Sequence, residues 1–389
     1  MRVSAAAAGM PSSGIREIMN AAWGRREVIH LEVGQPDFAT PAHIIAAAHA
    51  AALAGRTGYT PTAGIPELRT ALAEKIGARN GFCVDPAQVV LGNGGAQAIY
   101  ATLVVLTEPG DGILLPDPAW PNFAMMAALL GLDVAHYSLT AAGGYVPDLD
   151  ELERLVTPRT RVLLLNSPSN PLGSVIDAER MEALFAFAVK HDLWVLSDEC
   201  YDEITFESPA VSPATFDTDG RVATVYSFSK TYAMTGWRLG YVAAPPAVAE
   251  VLANAQEPLI SCLHTPTQYA ALAALQSAPE VIATMVASYR QRRDTVVGRL
   301  TARGIDAFRP AGAFYTWVDV SACGAGSREF ALRLLLEEDV AVAPGSAFGA
   351  GGDGFVRISL AAHERDLEVG CDRLAALWRR MGDTGEARP

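Results

Sequence analysis

Lysine is almost missing from this chain, with three residues against 27 arginines in a length of 389. Cysteine is sparse as well: Cys83, Cys200, Cys262, Cys323 and Cys371 are odd in number and lack the paired spacing of zinc or redox sites. They read as reduced core thiols, and no metal is expected. No apolar run is long enough to cross a bilayer, and the opening "MRVSAAAAGMPSSG" is too weakly apolar for the centre of a signal peptide. A cytosolic protein with no membrane partner is therefore expected. Positive charge is in deficit, with 30 Lys and Arg against 43 Asp and Glu and a net charge of -13, which argues against nucleic acid as a partner. Internal repeats, low-complexity tracts other than alanine-rich helices, and Pro/Ser linkers are absent too.

What is present is material for a large buried interior. Half of the residues are hydrophobic, and the length exceeds one compact core of common size, so two subdomains of one body are expected. Helical stretches such as "PAHIIAAAHAAALAG" and "PELRTALAEKIGARNG" are followed by short apolar runs: "QVVLGN", "DGILLPDP", "RVLLLNSP", "LWVLSDE" and "VATVYSFS". These runs are of strand length and lack strict alternation, which is how buried parallel strands read. The pattern predicts an α/β fold over residues 45–285, with a mostly parallel central sheet flanked by helices. A smaller α+β domain is expected from residues 1–44 and 286–389, where few strands and peripheral helices follow the amphipathic "MVASYRQRRDTVVGRLTARG".

Ligands of open α/β sheets gather at the carboxyl ends of the strands, and this chain places polar residues there repeatedly. "GNGGAQAIYATL" is a Gly-rich turn opening a helix, with the amides of Gly94, Gly95 and Ala96 available to a phosphate. Its spacing is not that of a dinucleotide fingerprint, so alone it is equally a tight turn. Trp120 in "LLPDPAWPNF" is a core filler or a flat platform. Asn166 and Asn170 fall in the turn-rich "NSPSNPLG", and Asp198 and Tyr201 leave the apolar strand of "WVLSDECYDEI". A carboxylate at such a place is costly unless paired, so a cation is expected beside Asp198. Ser227, Ser229, Lys230 and Arg238 follow in "SFSKTYAMTGWRLGY". Lys75 and Lys190 sit in helical charge patterns and read as solvated. Lys230 stands in an uncharged run, where an amine can lose its proton and attack a carbonyl as a guanidinium cannot. A nucleophilic amine, a buried carboxylate, an amide nest, an arginine and an aromatic plate together suit pyridoxal phosphate.

The sequence resembles the class I/II aminotransferases of the fold type I pyridoxal-phosphate-dependent enzymes over nearly its whole length. "SFSKTYAMTGWRLGY", "NSPSNPLG", "SDECY", "YTPTAGIPELR" and "GFVRISLA" match family blocks in the expected order. The resemblance implies that Lys230 holds the cofactor as a Schiff base and then moves the substrate's α-proton. It implies that Asp198 pairs with the pyridinium nitrogen, and that Asn170 and Tyr201 hydrogen-bond the phenolic oxygen. Trp120 would stack on the ring. Gly94, Gly95, Ala96, Ser227 and Arg238 match the phosphate cradle, and Tyr59 matches a tyrosine that reaches the phosphate of a neighbouring subunit, so a homodimer with shared active sites is implied. Arg357 matches the clamp on the substrate α-carboxylate, with Asn170, Trp120 and the backbone at Gly34 completing the substrate site.

One position departs from the family pattern. Aspartate-specific relatives often carry a basic residue just after the paired glycines, where this chain has Ala96. Without a second cation a dicarboxylate would be desolvated unpaired, so a neutral, aromatic or specialised amino acid is expected as donor to a 2-oxo acid, unless another arginine such as Arg16 substitutes. The same residues serve β-eliminating lyases and cyclases on this scaffold. A non-catalytic effector-binding module stands further off, since such proteins carry a DNA-binding head before the aminotransferase-like body, which here begins within about thirty residues of the N-terminus.

Overall fold

The computed structural model describes residues 2–10 and 13–385. Residues 1, 11, 12 and 386–389 belong to the expected smaller domain and lie outside the described residues. The strands in chain order are β1 (Ile29–His30), β2 (Val89–Gly92), β3 (Gly112–Asp117), β4 (Asp133–Ser138), β5 (Thr160–Asn166) and β6 (Trp194–Asp198), then β7 (Val222–Ser227), β8 (Gly240–Ala243), β9 (Tyr315–Asp319), β10 (Val340–Ala341), β11 (Ala343–Pro344) and β12 (Phe355–Ser359).

Seven of them form one sheet in the order β2-β8-β7-β6-β5-β3-β4, parallel throughout except for β8, which runs against both of its neighbours. Each of the five apolar runs became a strand of this sheet. β2, β7 and β8 are buried along their whole length, because helices cover both faces, and a strand covered twice has no reason to alternate. Two strands went unread. β4, at the sheet edge, is polar and mostly solvent-facing, so it carries no apolar run. β8 spans four residues and begins at the end of the block read for its lysine.

The smaller sheets join the two ends of the chain. β1 pairs in parallel with β10, and β12 lies between β11 and β9, antiparallel to both. The backbone amide of Ser359 donates to Leu31 O at 2.8 Å, which lays the N-terminal segment beside the end of β12. The helices Ala42–Leu53 and Glu280–Thr301 run across the expected boundaries at residues 45 and 285.

Packing follows the pattern. Ile99, Leu103, Ile113, Leu164 and Val225 are fully buried in a core between the large sheet and its helices, while Leu31, Phe314, Leu334 and Ile358 anchor another around the smaller sheets. Each such side chain contributes about 1.5–3 kcal/mol on leaving water. The thiols depart from expectation: Cys323 and Cys371 are buried, Cys200 and Cys262 only partly, and Cys83 is exposed.

Lys75 departs most. Its side chain is only 11 % exposed; Nζ donates to Asp202 and, at 3.0 Å, to Asn80 Oδ1, and lies 3.5 Å from Glu203. It also stands 4.9 Å above the Tyr226 ring. Burial opposes its charge, but Asp202 and Glu203 outweigh burial and hold the amine protonated. Charge spacing along a helix shows which residues share a face and not what packs against that face. Lys190, 63 % exposed and paired with Glu153, is the solvated residue it was read to be.

Candidate active site

A cavity of about 440 Å³ opens at the carboxyl edge of the large sheet, closed over by the segment after β1 and by β9 and β12. The strands deliver its lining in turn: Gly95 and Ala96 after β2, Trp120 after β3, Asn170 after β5, Asp198 and Tyr201 from the end of β6, Ser227 and Lys230 from β7 onward. Gly34, Tyr315 and Arg357 come from the chain ends. Of the strand-end and loop residues singled out in the sequence, Gly94, Asn166 and Tyr59 do not line it.

Lys230 sits in the short helix Phe228–Thr231, which Ser227 caps by accepting the Ser229 amide at 3.1 Å. Its Nζ donates to Gly34 O at 2.5 Å. Enclosure pulls the ammonium down to about 8, with Arg357 and Arg238 acting in the same direction. An amine so placed spends part of its time neutral and nucleophilic at ordinary pH.

Asp198 is buried, and Oδ1 accepts the Cys200 amide at 3.1 Å. No ion pair forms at this carboxylate among the described residues; burial raises its pKa against the opposing hydrogen bonds from Cys200 and the charge of Lys230. The expected cation is thus not one of the protein's own described side chains. A buried carboxyl bordering a cavity suits a cationic or N–H group brought in by a ligand.

At the other end of the site Gly94 takes φ +77°, and a Cβ there would come 2.1 Å from Nη2 of Arg238. Arg238 itself has φ +54° and donates to Thr235 O at 2.8 Å. The guanidinium therefore lies against a glycine at the start of the 13-residue helix Gly94–Leu106. The Gly95 and Ala96 amides in its first turn have no intrahelical partner. With the Ser227 and Ser229 hydroxyls they make an anion-binding corner.

Arg357 is buried. It donates from Nη1 to Asn170 Oδ1 at 2.8 Å and from Nη2 to Glu32 O at 2.5 Å, and its guanidinium lies 4.3 Å from the Tyr315 ring centre and 4.9 Å from that of Phe348. Its Nε has no hydrogen-bond partner among the described residues. Tyr201 meets the Tyr315 hydroxyl at 2.7 Å. Trp120 lines the cavity and packs edge-on against Phe123, ring centre to ring centre 5.3 Å. Tyr59 is 93 % exposed on the loop after Ala42–Leu53.

Sequence reasoning passed over Cys200, Tyr315 and Thr235, while Arg16, named there as a substitute cation, does line the cavity. Cys200 lay in plain view between Asp198 and Tyr201. Tyr315 carried no signal, because it opens a strand distant in sequence from every motif.

The sequence model of the family described as aminotransferase class I and II matches residues 26–374. The aspartate/prephenate aminotransferase of Thermus thermophilus is 39 % identical over 362 residues, 91 % of this chain and 92 % of the relative. Aromatic-amino-acid aminotransferase 2 of Thermococcus litoralis is 38 % identical over 368 residues, 93 % of this chain and 94 % of its own. Among solved structures, the Thermus thermophilus aspartate aminotransferase with maleate superposes with a TM-score of 0.93 at 37 % identity, covering 97 % of this chain and 100 % of that one. The aromatic aminotransferase from Pyrococcus horikoshii OT3 gives 0.88 at 37 %, covering 94 % and 99 %.

Proposed function

Because the chain belongs to the class I and II aminotransferase family and is a transaminase, we propose that it uses pyridoxal phosphate joined to Lys230, and that its amino donors are neutral or aromatic. The residues present fit that cofactor. A buried carboxyl with no ion pair among the described residues borders the cavity at Asp198, and a guanidinium packed over a glycine borders it at Arg238. Lys230 would be the covalent anchor, as a Schiff base. Asp198 would hold the ring nitrogen, and Gly94, Gly95, Ala96, Ser227 and Arg238 the phosphate, with Tyr59 of the partner subunit reaching the same phosphate in a homodimer. Trp120 would lie on the ring, worth about 0.5–1.5 kcal/mol beyond its burial.

When bound, the cofactor supplies an electron sink for the pair left on the substrate α-carbon. The chain does the rest. Arg357 binds the α-carboxylate as a fork, oriented by Asn170 and by the rings of Tyr315 and Phe348. Lys230 Nζ, freed when the substrate amine takes its place on the cofactor, would accept the proton from the substrate α-carbon, a role its lowered pKa suits. Tyr201 and the Asn170 amide donate toward the phenolic oxygen. The small unit closes the cavity against water, which strengthens each of these contacts.

The substrate reading rests on the cavity lining, where Ala96 offers no charge and Ile15, Met19 and Ile99 offer apolar surface. Arg16 supports aspartate as a second reading. It lines the cavity and is solvent-exposed, and it makes no ion pair among the described residues. The proposal also takes residues 45–285 as the cofactor-binding domain and both termini as the smaller one, supported by the pairing of β1 with β10. It places the enzyme in the cytosol.

The observation that carries the reading is that Lys230, Asp198 and Arg357, far apart in sequence, line one cavity. The test is a half-reaction screen. Protein loaded with the cofactor is mixed with phenylalanine, tyrosine, alanine, aspartate or glutamate, and the absorbance change to the amine form is followed together with the keto acid released. The aromatic and neutral donors are expected to react faster than aspartate. Faster aspartate, slowed by Arg16→Ala, would move the assignment to the second reading. Ammonia released without the amine form would replace transamination by elimination.

A further inference from the structure

Tyr315 touches three parts of the site at once, and no motif led to it. Its hydroxyl meets that of Tyr201 at 2.7 Å, both tyrosines being buried. Its ring lies 4.3 Å from the Arg357 guanidinium. Its oxygen occupies the space a side chain at Gly34 would need: a Cβ there would fall 2.1 Å from Tyr315 Oη, so residue 34 must be glycine while this tyrosine stands where it does. Gly34 O is in turn the resting acceptor of Lys230.

Two facing hydroxyls share one hydrogen bond, and only one of them can donate it. If Tyr201 donates to Tyr315, its proton is spent within the protein. If Tyr315 donates to Tyr201, the Tyr201 proton remains available to the cavity. The surroundings break the symmetry. A cation held over the face of the Tyr315 ring draws electron density from its oxygen and makes it the stronger donor. Burial pushes both phenols up; Arg357 opposes it at both, as the first influence after burial at Tyr315 and behind the contacts with Tyr315 at Tyr201. Tyr315, with the Arg357 cation on its ring face, is thus the donor and Tyr201 the acceptor, and hydrogen bonds in such a chain strengthen one another.

We propose that Tyr315 is a positioning residue that donates to Tyr201 and so aims and strengthens the Tyr201 hydroxyl as a donor into the cavity. This rests on the reading of the site as that of a pyridoxal-phosphate enzyme, in which the Tyr201 proton meets the phenolic oxygen and favours its deprotonated neighbour at Lys230. Weakening the donor then raises the pH at which the bound cofactor changes colour.

The experiment titrates the absorption of the loaded protein from about pH 5 to pH 10. Tyr315→Phe keeps the ring under Arg357 and removes one oxygen. It is expected to move the midpoint up by about half to one pH unit, at unchanged cofactor stoichiometry. Tyr201→Phe is expected to move it at least as far, and Tyr201→Phe with Tyr315→Phe no further than Tyr201→Phe alone, because Tyr315 acts through Tyr201. A fluorinated tyrosine at position 315, a more acidic donor of nearly the same shape, is expected to move the midpoint down. An unmoved midpoint in Tyr315→Phe, additive shifts in the double variant, or an upward shift with the fluorinated residue overturns the proposal. Borohydride fixation separates this from a failure of the cofactor reading. An unaltered Lys230 mass after reduction, with no titrating band in the parent protein, would take down both, whereas an adduct with additive shifts takes down only the role of Tyr315.

Discussion

The amine of Lys230 can act as a nucleophile because the cavity withholds the water that would keep it charged, and nearby Arg357 and Arg238 press the same way. An arginine in its place would stay protonated and form no covalent bond. Lys75 shows the opposite use of the same group: enclosed among Asp202, Glu203 and Asn80, its amine is held protonated and inert. The two roles assigned to Lys230 and Arg357 separate experimentally. Lys230→Ala is expected to fold and bind the cofactor loosely, with no covalent adduct, no parent absorption band, and turnover lower by at least about 10²–10⁴-fold. Arg357→Ala is expected to keep the band and raise the KM for the amino acid by about 30-fold or more, as for other truncated buried charge contacts. Absorbance and steady-state rates on the two proteins check both, and an unchanged KM in Arg357→Ala would mean that the carboxylate binds elsewhere.

At the scale of elements, the site is the product of strand ends. The turn after β6 places Asp198, Cys200 and Tyr201 at the cavity, while Glu199 points the other way into the protein, where its Oε1 accepts from Ser197 Oγ at 2.9 Å and Ser212 Oγ at 2.6 Å. Burial pushes the Glu199 carboxyl up to about 7. Its folded pKa is therefore above its unfolded value, and between about pH 4.5 and pH 7 the native state holds a proton that the unfolded chain has released. Stability from this group falls as pH rises through that window. Glu199→Gln keeps an oxygen for both serines and removes the buried ionisation. Its melting temperature is expected to gain on that of the parent as pH rises from about 5 to 8, by the equivalent of up to about 3 kcal/mol. Parallel melting curves across this range would show that Glu199 does not titrate there. Most of these elements were legible: buried parallel strands announce themselves as unbroken apolar runs, as "RVLLLNSP" does. The edge strand β4 was not, because a half-solvated strand of Asp, His and Ser has no apolar signature.

For the whole molecule, Tyr59 is the residue that one chain leaves unexplained, a tyrosine 93 % exposed on a loop outside its own cavity. If it completes the phosphate site of a second copy, subunits with different defects should repair one another. Lys230→Ala chains and Tyr59→Phe chains, the latter with weakened cofactor binding, are expected to give mixed dimers in which one site joins an intact Lys230 to an intact Tyr59. Activity at up to about a quarter of the parent level after random exchange of subunits would follow, half of the dimers each holding one complete site of two. No recovery beyond the sum of the separate variants would rule out a shared site. The same distinction between chain and fold runs through the protein. The sequence by itself determined the chemistry available: one lysine among uncharged neighbours, a carboxylate leaving an apolar strand, a glycine turn before a helix, an arginine in "GFVRISLA". These are local facts, written in neighbouring residues. Only the tertiary structure decided that Lys75 is buried, that Asp198 meets no cation among the described residues, and that Tyr315 stands between Tyr201, Gly34 and Arg357. Those are contacts between segments remote along the chain, and side chains that meet only through packing leave no pattern in the order of the residues.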